Sequence, residues 1–313
     1  MLAALRPRPS ALLGAIALDA LFGDPPTALH PVGWIGRLVR GVEAGAPASA
    51  TARRQYGAVA APAITLLTAL AAAGWHAAPA RRGLPGVLAE AVALDGTFAL
   101  RTLLRRADEV RVALEADDLD AARGLLGRHL VSREVHDLTA SEIAGATIES
   151  VAENLGDGVV APWLAYAVAG LPGAFAYRAA NTLDSMWGYR SERYADLGFV
   201  AATTDDVANW VPARVAALAI VAAAAVAGED AAGAVEAWRR DASTTESPNA
   251  GHPMSAMAGA LGVVLSKRDA YTLGATGRPP VAGDIARALV IARIAAAIAA
   301  AGATVIAARG CAR

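Results

Sequence analysis

The sequence predicts an all-α, multi-pass integral membrane protein with polar loops and peripheral amphipathic helices, and three observations support this fold class. Of its 313 residues, 55% are hydrophobic and only 18% are charged, whereas soluble domains are about 45–50% apolar and about a quarter charged. Long segments without charge recur along the chain, and alternating strand patterns are nearly absent. A lipid bilayer accounts for this excess of apolar side chains better than one water-soluble core does.

The apolar segments follow in chain order. The N-terminal run Ala11–Leu18 is interrupted by Asp19 and lacks a convincing cleavage site, so we expect an uncleaved first helix. The segment Leu84–Leu104 predicts a helix whose acids, Glu90 and Asp95, face the protein interior or an aqueous cleft, because charge that faces lipid is costly. Four other stretches have the low charge of a membrane span, although the third is short without its flanks: Gly57–Ala80, Gly158–Tyr177, Val215–Gly228 and Ala286–Ala308.

Peripheral helices are predicted between these segments. The stretch Arg101–Asp137 has the character of a soluble helix, with acids and arginines interleaved among apolar residues at helical spacing. A turn at Asp117–Asp118 then leads to a second helix, expected from Leu119 to His129. Another peripheral helix is expected within Glu229–Thr245. We therefore predict a single membrane domain over residues 1–313, with a helical region of about 101–140 inserted between membrane segments. The net charge of -1 does not favour nucleic acid, and the single cysteine excludes a disulfide framework.

The densest polar stretch, residues 147–158, contains three carboxylates spaced by four residues. On a helix, Glu149 and Glu153 lie on one face, and Asp157 follows where Gly156 and Gly158 loosen the backbone. Stacked like charges repel, so this face would be destabilised without a cation. Mg²⁺ is bound by one or two carboxylates together with substrate phosphates, which indicates a magnesium site. The alternative is a solvated acidic face or pairing with nearby arginines.

A second polar stretch, residues 177–194, combines Asn181 and Asp184 with arginines that would clamp a phosphate through their forked donors. Aromatic and arginine side chains at a membrane interface are the alternative interpretation. In a third stretch, Asp205 and its neighbour Asp206 precede an apolar segment. They would hold a second metal contact or, equally, complement the dipole at a helix N-terminus.

A fourth polar stretch, residues 247–255, is punctuated by proline and glycine and predicts a loop that enters the helix Ala256–Leu265. It contains Asn249 and His252, both hydrogen-bonding groups. His252 would transfer a proton or serve a structural purpose, and a single loop histidine is more often structural.

These motifs together resemble the CobD/CbiB family, known as adenosylcobinamide-phosphate synthase. The matching segments are LDALFGDP at 18–25 with HPV at 30–32, ESVAENLGDGVVAP at 149–162, NTLDSMWGYRSERY at 181–194, DDVANWVPAR at 205–214 and SPNAGHPMSAMAGAL at 247–261. The resemblance implies an amide-forming ligase of cobalamin (vitamin B12) biosynthesis in the inner (cytoplasmic) cell membrane. It would attach aminopropanol or its phosphate to (adenosyl)cobyric acid, with ATP as co-substrate and Mg²⁺.

The resemblance, taken with the polar stretches, also implies roles for individual residues and partners. Metal binding is expected at Glu149, Glu153, Asp157 and Asp205; binding of the nucleotide or of phosphates at Arg190, Arg193, Arg214 and Asn154; and catalysis at His252, Asn249, Asp184 and Asn181. The expected partners are cobyric acid, the amine, membrane lipid and other cobalamin-assembly enzymes, without nucleic acid. A membrane transporter or scaffold for corrin or amine intermediates is the rival interpretation, although a carrier would spread its polar groups along the spans.

Overall fold

The computed structural model of the protein describes residues 6–25, 30–77, 83–189 and 191–312, without the side chains of residues 76, 77, 311 and 312. Within these residues the all-α prediction is confirmed, because the only strands are two of three residues each. The α-helices are α1 (Pro9–Phe22), α2 (Pro31–Glu43), α3 (Ala50–Ala77), α4 (Gly83–Asp95), α5 (Leu100–Glu115), α6 (Leu119–His129), α7 (Ala140–Asn154), α8 (Ala161–Trp187), α9 (Phe199–Ala227), α10 (Ala231–Asp241), α11 (Gly251–Leu261) and α12 (Ala282–Ala312). A π-helix (Leu155–Val160) joins α7 to α8, and β1 (Leu265–Lys267) pairs antiparallel with β2 (Tyr271–Leu273).

Among the residues that the structure describes, four segments are long and apolar enough to cross a membrane, as the sequence predicts: Ala50–Trp75, Ala140–Trp187, Phe199–Ala227 and Ala282–Gly310. The predicted span Val215–Gly228, short by itself, is the second half of the 29-residue helix α9. The end of the predicted span Gly57–Ala80 lies outside the described residues. Leu66, Leu67 and Leu70 of α3 are exposed, as expected of side chains that face lipid.

The chain divides into two compact units. Unit 1 comprises Met1–Ala99, Ala161–Asn209 and Gly302–Arg313, and unit 2 comprises Leu100–Val160 and Trp210–Ala301. Helices α9 and α12 are therefore shared between the units. The single domain stays a prediction, and the helical region inserted after α4 belongs to unit 2.

Unit 1 is built around α8, which contacts α1, α2, α3 and α4. One part of its core joins α2, α3, α8 and the start of α9 through small and branched apolar residues around the buried Trp187. Small residues allow backbones to approach closely, as at Gly57, where a Cβ atom would collide with the carbonyl of Leu197. The many alanines of the sequence therefore allow these helices to pack tightly.

Helix α8 is not one straight span, although the sequence predicts an unbroken span over Gly158–Tyr177. Ala169 and Gly170 leave the helical conformation, and Gly170 adopts a φ of 63°, which glycine accepts without steric cost. The chain turns sharply there, since a Cβ atom on Gly173 would lie 2.5 Å from the carbonyl oxygen of Ala165. The following Pro172 cannot donate to the preceding turn. The break divides α8 into residues 161–168 and 171–187.

Unit 2 packs α10 against α11 at a close glycine contact. A Cβ atom on Gly259 would collide with the carbonyl oxygen of Gly233, so the two helices approach closely at small residues. The peripheral helices α5 and α6 are confirmed, and residues 116–118 separate them. The β1–β2 hairpin lies against α7 and α11.

Three local predictions are wrong. Leu84–Leu104 is not one helix, because α4 ends at Asp95 and α5 begins at Leu100; the expected burial of Glu90 is confirmed. The stretch 247–255 is not entirely loop, because α11 begins at Gly251. The helix predicted over Ala256–Leu265 ends earlier, at Leu261, before β1. Proline at the third helical position, Pro253, is compatible with a first turn whose N–H groups lack helical partners.

Candidate functional site

Glu149 and Glu153 of the carboxylate stretch lie on α7. The residue at which this helix begins determines which face of the helix carries them. The Thr139 hydroxyl accepts a hydrogen bond from the Glu142 N–H at 3.3 Å, and the Glu142 carboxylate accepts one from the Thr139 N–H at 2.8 Å. This capping box starts the helix at Ala140. From that start, Glu149 and Glu153 are one turn apart on one face, as predicted.

The helix widens at the glycine-rich end of the same motif. Residues Leu155–Val160 form a π-helix, a rare geometry that is frequent at functional sites. Gly156 and Gly158 lie within it, and its one charged side chain, Asp157, is half-buried. A Cβ atom on Gly156 would touch Ala216 and Pro253, so the π-helix packs against α9 and the first turn of α11 within unit 2.

The three carboxylates have different surroundings. Glu149 is buried, at 5% exposure, and its Oε2 lies 3.5 Å from Nη2 of Arg133. Its Oε1 is buried and accepts no hydrogen bond from the described residues. Glu153 and Asp157 are half-buried, so these two carboxylates are within reach of a ligand. Asn154 donates to the carbonyl of Ser150 at 2.9 Å.

The hairpin brings two further residues to these acids, and sequence reasoning missed both. Burial, together with the charges of Glu149 and Glu153, raises the pKa of the Tyr271 hydroxyl on β2. Lys267 of β1 is within electrostatic range of Glu149. The only signal in the sequence is that Lys267 is the single lysine of the chain. At Glu149 the alternative of pairing with a nearby arginine is confirmed by Arg133. The sequence does not identify which arginine pairs, because this contact joins a loop to a helix.

A second polar group in unit 2 surrounds the start of α11. Nη1 of Arg214 lies 3.4 Å from Oδ1 of Asn249, and the Arg214 guanidinium stacks over the Trp210 ring at 4.1 Å. The Trp238 indole N–H donates to Nδ1 of His252 at 2.8 Å. The structure therefore brings together Arg214, Asn249 and His252, three residues predicted to belong to the site.

The hydrogen bond from Trp238 defines the chemistry of His252. An indole N–H only donates, so Nδ1 accepts, and the proton of the neutral ring is on Nε2. Burial, and then the charge of Arg214, lowers the pKa of His252, while the Pro248 carbonyl opposes this. A neutral ring at physiological pH follows, and it offers an N–H donor and not a free basic nitrogen.

In unit 1, Asp205 is the centre of a buried hydrogen-bond network. Its Oδ1 accepts from Asn181 at 3.2 Å and its Oδ2 accepts from Asn209 at 2.9 Å. Asn209 in turn accepts from the Tyr177 hydroxyl at 2.7 Å, and Asn181 from Arg178 at 3.1 Å. Asp205 lies beyond the first turn of α9, which begins at Phe199. The interpretation as a helix N-terminus is therefore wrong.

The other predicted residues of unit 1 lie around the end of α8. Asp184 is half-buried beside Gly188, whose N–H bonds the Asp184 carbonyl at 2.6 Å. Arg193 forms an ion pair with Glu43 at 2.7 Å, which also accepts from Tyr194 at 3.0 Å. Arg190 lies outside the described residues.

Unit 1 also gathers an acidic group near its N-terminal helices. Burial, and then the charges of Asp19 and Asp24, raises the pKa of Asp95 to about 7. His30, the N-cap of α2, lies near Asp24 and Arg178, and burial lowers its pKa. The sequence places Asp19, Asp24 and His30 in one motif, whereas Asp95 joins them only through the packing of α4 on α1.

In the part of the chain that the structure describes, geometry alone identifies neither a closed metal site nor a cavity lined by the predicted site residues. Among the described residues, no three His, Cys, Asp or Glu side chains are grouped to hold a metal ion. Two cavities of about 370 and 380 Å³ lie in unit 2, one between α7 and β1, the other between α10 and α11. Neither is lined by a predicted site residue. The carboxylates suit an ion that also takes ligands from a substrate.

Comparison with known proteins gives one consistent result. Residues 12–301 match the family described as CobD/Cbib protein. The chain is 41% identical over 295 residues to "Cobalamin biosynthesis protein CobD" of Mycobacterium tuberculosis (strain ATCC 25618 / H37Rv), a match that covers 90% of each chain.

Other relatives carry the same name. The chain is 42% identical over 272 residues to the protein of Chromobacterium violaceum, covering 85% of this chain and 84% of the relative. It is 38% identical over 281 residues to the protein of Dehalococcoides mccartyi (strain CBDB1), covering 88% and 90%. No solved structure matches the chain.

Proposed function

Because the chain belongs to the CobD/CbiB family of cobalamin biosynthesis proteins, we propose that it is an ATP-dependent ligase that attaches aminopropanol or its phosphate to (adenosyl)cobyric acid. The propionate carboxylate of the corrinoid and the amine form an amide, giving (adenosyl)cobinamide or its phosphate. The reaction takes place at the inner (cytoplasmic) membrane, in which the four apolar spans lie.

The chemistry explains the need for ATP. A carboxylate resists attack by an amine, since it is anionic and oxide is a poor leaving group. Transfer of the γ-phosphoryl group to the carboxylate oxygen breaks one phosphoanhydride bond and releases ADP. The amine nitrogen then attacks the acyl carbon, phosphate leaves with the oxygen, and the nitrogen loses a proton. Phosphoryl transfer of this kind depends mainly on positioning and on neutralisation of charge.

The single observation that supports this proposal best is the carboxylate site at the junction of α7 and the π-helix. It offers two accessible acids, Glu153 and Asp157, beside the buried Glu149. Mg²⁺ binds through one or two carboxylates and completes its shell with water and phosphate oxygens, so a closed three-acid cage is not required. Mg²⁺ held there would neutralise the phosphates of ATP.

The Arg214, Asn249 and His252 group suits the binding of an anion. Arg214 supplies a fixed positive charge, and neutral His252 supplies a hydrogen bond from Nε2. In this proposal the group orients the carboxylate or phosphate of a substrate, and His252 does not act as a general base. Asn154, next to Glu153, would contact the nucleotide.

The residues of unit 1 keep their predicted roles as part of the proposal. Asn181 and Asp184 would contribute to catalysis, Arg190 and Arg193 to phosphate binding, and Asp205 to metal binding. The hydrogen-bond network of Asp205 and the ion pair of Arg193 equally suit a structural role. Alanine variants of each, assayed for ligation, separate the two roles.

Reconstitution tests the reaction directly. Protein purified in detergent is incubated with cobyric acid, ATP, Mg²⁺ and either aminopropanol or its phosphate, and the corrinoid product is identified by mass spectrometry. We expect a mass increase equal to the amine minus one water, with ADP formed in equal amount. An unmodified corrinoid under all conditions would contradict the proposed ligase activity and would favour the interpretation as a transporter or scaffold.

Glu153→Gln tests the metal site. The change removes a negative charge with almost no change in shape, so we expect ligation to fall at least about 100-fold, the scale of lost charge stabilisation in catalysis, while the protein still inserts into membranes. Glu134→Gln is a matched control, because Glu134 is exposed on the loop before α7. Full ligation by Glu153→Gln would exclude the metal role.

A further inference from the structure

We propose that the β1–β2 hairpin (residues 265–273) completes the carboxylate site and, together with Arg133, binds a phosphate group of a substrate through Lys267 and Tyr271. The identity of the phosphate compound, ATP or aminopropanol phosphate, rests on the proposed function. The hairpin residues belong to none of the polar stretches that identify the family resemblance.

The first argument is the position of Lys267. The chain has 28 basic residues, and Lys267 is its single lysine. It is exposed on β1, lies within electrostatic range of the Glu149 carboxylate, and forms no ion pair with the described residues. By contrast, the next residue, Arg268, is bound to two acids. A compact ammonium with freely rotating donors is a common phosphate ligand.

The second argument is the position of Tyr271 beside the acids. Tyr271 is opposite Lys267 in the hairpin register, so both side chains leave the same face of the sheet. Its hydroxyl approaches Glu149 and Glu153. Glu149 is nevertheless 5% exposed with an Oε1 that accepts no hydrogen bond from the described residues. A buried carboxylate oxygen without a donor is costly, and a ligand that brings a cation would satisfy it.

The third argument is that the hairpin is held firmly in place. Arg268 binds Asp137 at 2.6 Å and Glu142 at 2.8 Å, which ties the hairpin tip to the start of α7. At the other end, the Gly274 N–H donates to the buried Asp241 at 2.8 Å. These two anchors fix the backbone of the hairpin, which holds Lys267 and Tyr271 near the acids of α7.

The charges explain why a phosphate is the ligand. Glu149 and Glu153 repel an anion unless a divalent cation lies between these carboxylates and the anion. Arg133 and Lys267, which are both near Glu149, attract the anion. A magnesium-bound phosphate presents both signs of charge, and the Tyr271 hydroxyl can donate to a phosphate oxygen. This arrangement binds a phosphate compound only together with the metal ion.

Chemical footprinting uses the single lysine as its reporter. Full-length protein in detergent is treated with a limiting amount of an amine-acylating reagent, and the rate of Lys267 acylation is measured by peptide mass spectrometry. The conditions are buffer, Mg²⁺ alone, MgATP, ATP with EDTA, and aminopropanol phosphate with Mg²⁺. Because aminopropanol phosphate is itself an amine that consumes reagent, its reference is free aminopropanol with Mg²⁺ at the same concentration. At ten times Kd, simple occupancy predicts that acylation slows about tenfold, and only with Mg²⁺ plus the phosphate compound that binds here.

Binding variants provide a second readout. We expect Tyr271→Phe, which removes one hydroxyl, to weaken Mg²⁺-dependent binding of the protecting compound about fivefold, and Lys267→Gln to weaken it by at least as much. Thr272→Ala is the matched control, since Thr272 is exposed, follows Tyr271 in β2 and faces the opposite side of the hairpin. Circular dichroism and size-exclusion chromatography confirm that each variant folds.

The outcomes separate this inference from the proposed function. If amide formation proceeds while Lys267 is acylated equally fast under all conditions, the hairpin does not bind phosphate and the inference is wrong, while the ligase stands. If Lys267 is protected by a magnesium–phosphate compound but no amide forms, the binding site stands and the proposed reaction is wrong. Equal affinity of Tyr271→Phe, Lys267→Gln and the control would also overturn the inference.

Discussion

Two buried carboxylates in this protein are held by partners that are distant in the sequence. Glu90 of α4, at 2% exposure, accepts from the Tyr166 hydroxyl of α8 at 2.7 Å. Glu149 is beside Arg133. Removing one partner of a buried charge leaves the other uncompensated, which costs far more than the pair contributes at the surface. Such residues specify where helices meet, whether or not they contact a substrate.

Asp241 gives a prediction at this scale. Its hydrogen bond with Arg240 holds the pKa of Asp241 below its usual value despite burial, and the Gly274 N–H acts in the same direction. Because the folded pKa is below the unfolded one, this stabilisation is present above the unfolded pKa and is lost as pH falls through the folded pKa. Asp241→Asn should therefore lower the free energy of unfolding by about 1.5–3 kcal/mol at pH 7, and by less below about pH 4.

Thermal unfolding in detergent between pH 3 and pH 8 measures this difference. Glu236→Gln is the control, because Glu236 is 75% exposed and pairs with Arg240 at 3.5 Å one turn away. An exposed pair of this kind contributes about 0–1 kcal/mol. Equal effects of the two substitutions, or an Asp241→Asn effect that does not change with pH, would contradict the prediction.

At the scale of elements, glycine determines where helices break and how closely they pack. The break in α8 uses Gly170 at positive φ, and the π-helix contains Gly156 and Gly158. Between α10 and α11, Gly259 meets the carbonyl of Gly233 with no room for a side chain. Glycine therefore allows an unusual backbone conformation in α8 and a close approach of two helices between α10 and α11.

Gly259→Ala tests the close contact. A methyl group there meets backbone, which cannot rotate away, so α10 and α11 must separate, and we expect a loss of about 1–3 kcal/mol of stability. Gly124→Ala in α6 is the control: nothing lies within 4 Å of the added atom, and replacing a helical glycine stabilises by about 0.5–1 kcal/mol. Thermal unfolding of both variants in detergent gives the comparison, and a Gly259→Ala protein as stable as the wild type would refute the contact.

At the scale of the whole molecule, the apolar excess is located on long helices that leave large side chains exposed. Leu66, Leu67 and Leu70 of α3, for example, are 56–60% exposed. In water such surfaces would drive aggregation, whereas in a bilayer they are in their preferred solvent. Buried polar groups such as Glu90 and Asp205 lie where helices pack against one another.

Leu67→Arg tests the membrane assignment of α3. A central arginine costs about 2.5–3.5 kcal/mol on insertion scales, so the insertion constant of the Ala50–Trp75 segment in a glycosylation reporter should fall about 100-fold. Leu67→Val, which keeps an apolar side chain, should insert as the wild type does. Equal insertion of the arginine variant would show that α3 is not a lipid-exposed span.

The sequence by itself determined the fold class, the four spans and the helical spacing of Glu149, Glu153 and Asp157. These features depend on hydropathy and on the period of the helix, both of which are local. The family resemblance comes from the same kind of information, since its motifs are contiguous. The bounds of α6 and the turn before it were predicted correctly for this reason, because the amphipathic pattern and the turn lie within one short stretch.

Only the tertiary structure decided which distant residues meet. The approach of Tyr271 and Lys267 to the carboxylates, the bond from Trp238 to His252, and the network around Asp205 join positions separated by many residues. The break of α8 and the early start of α11 likewise depend on close packing that hydropathy does not record. Such contacts form when the gain from burial exceeds the entropy lost in closing long loops, a balance set by the packed helices and not by any one segment.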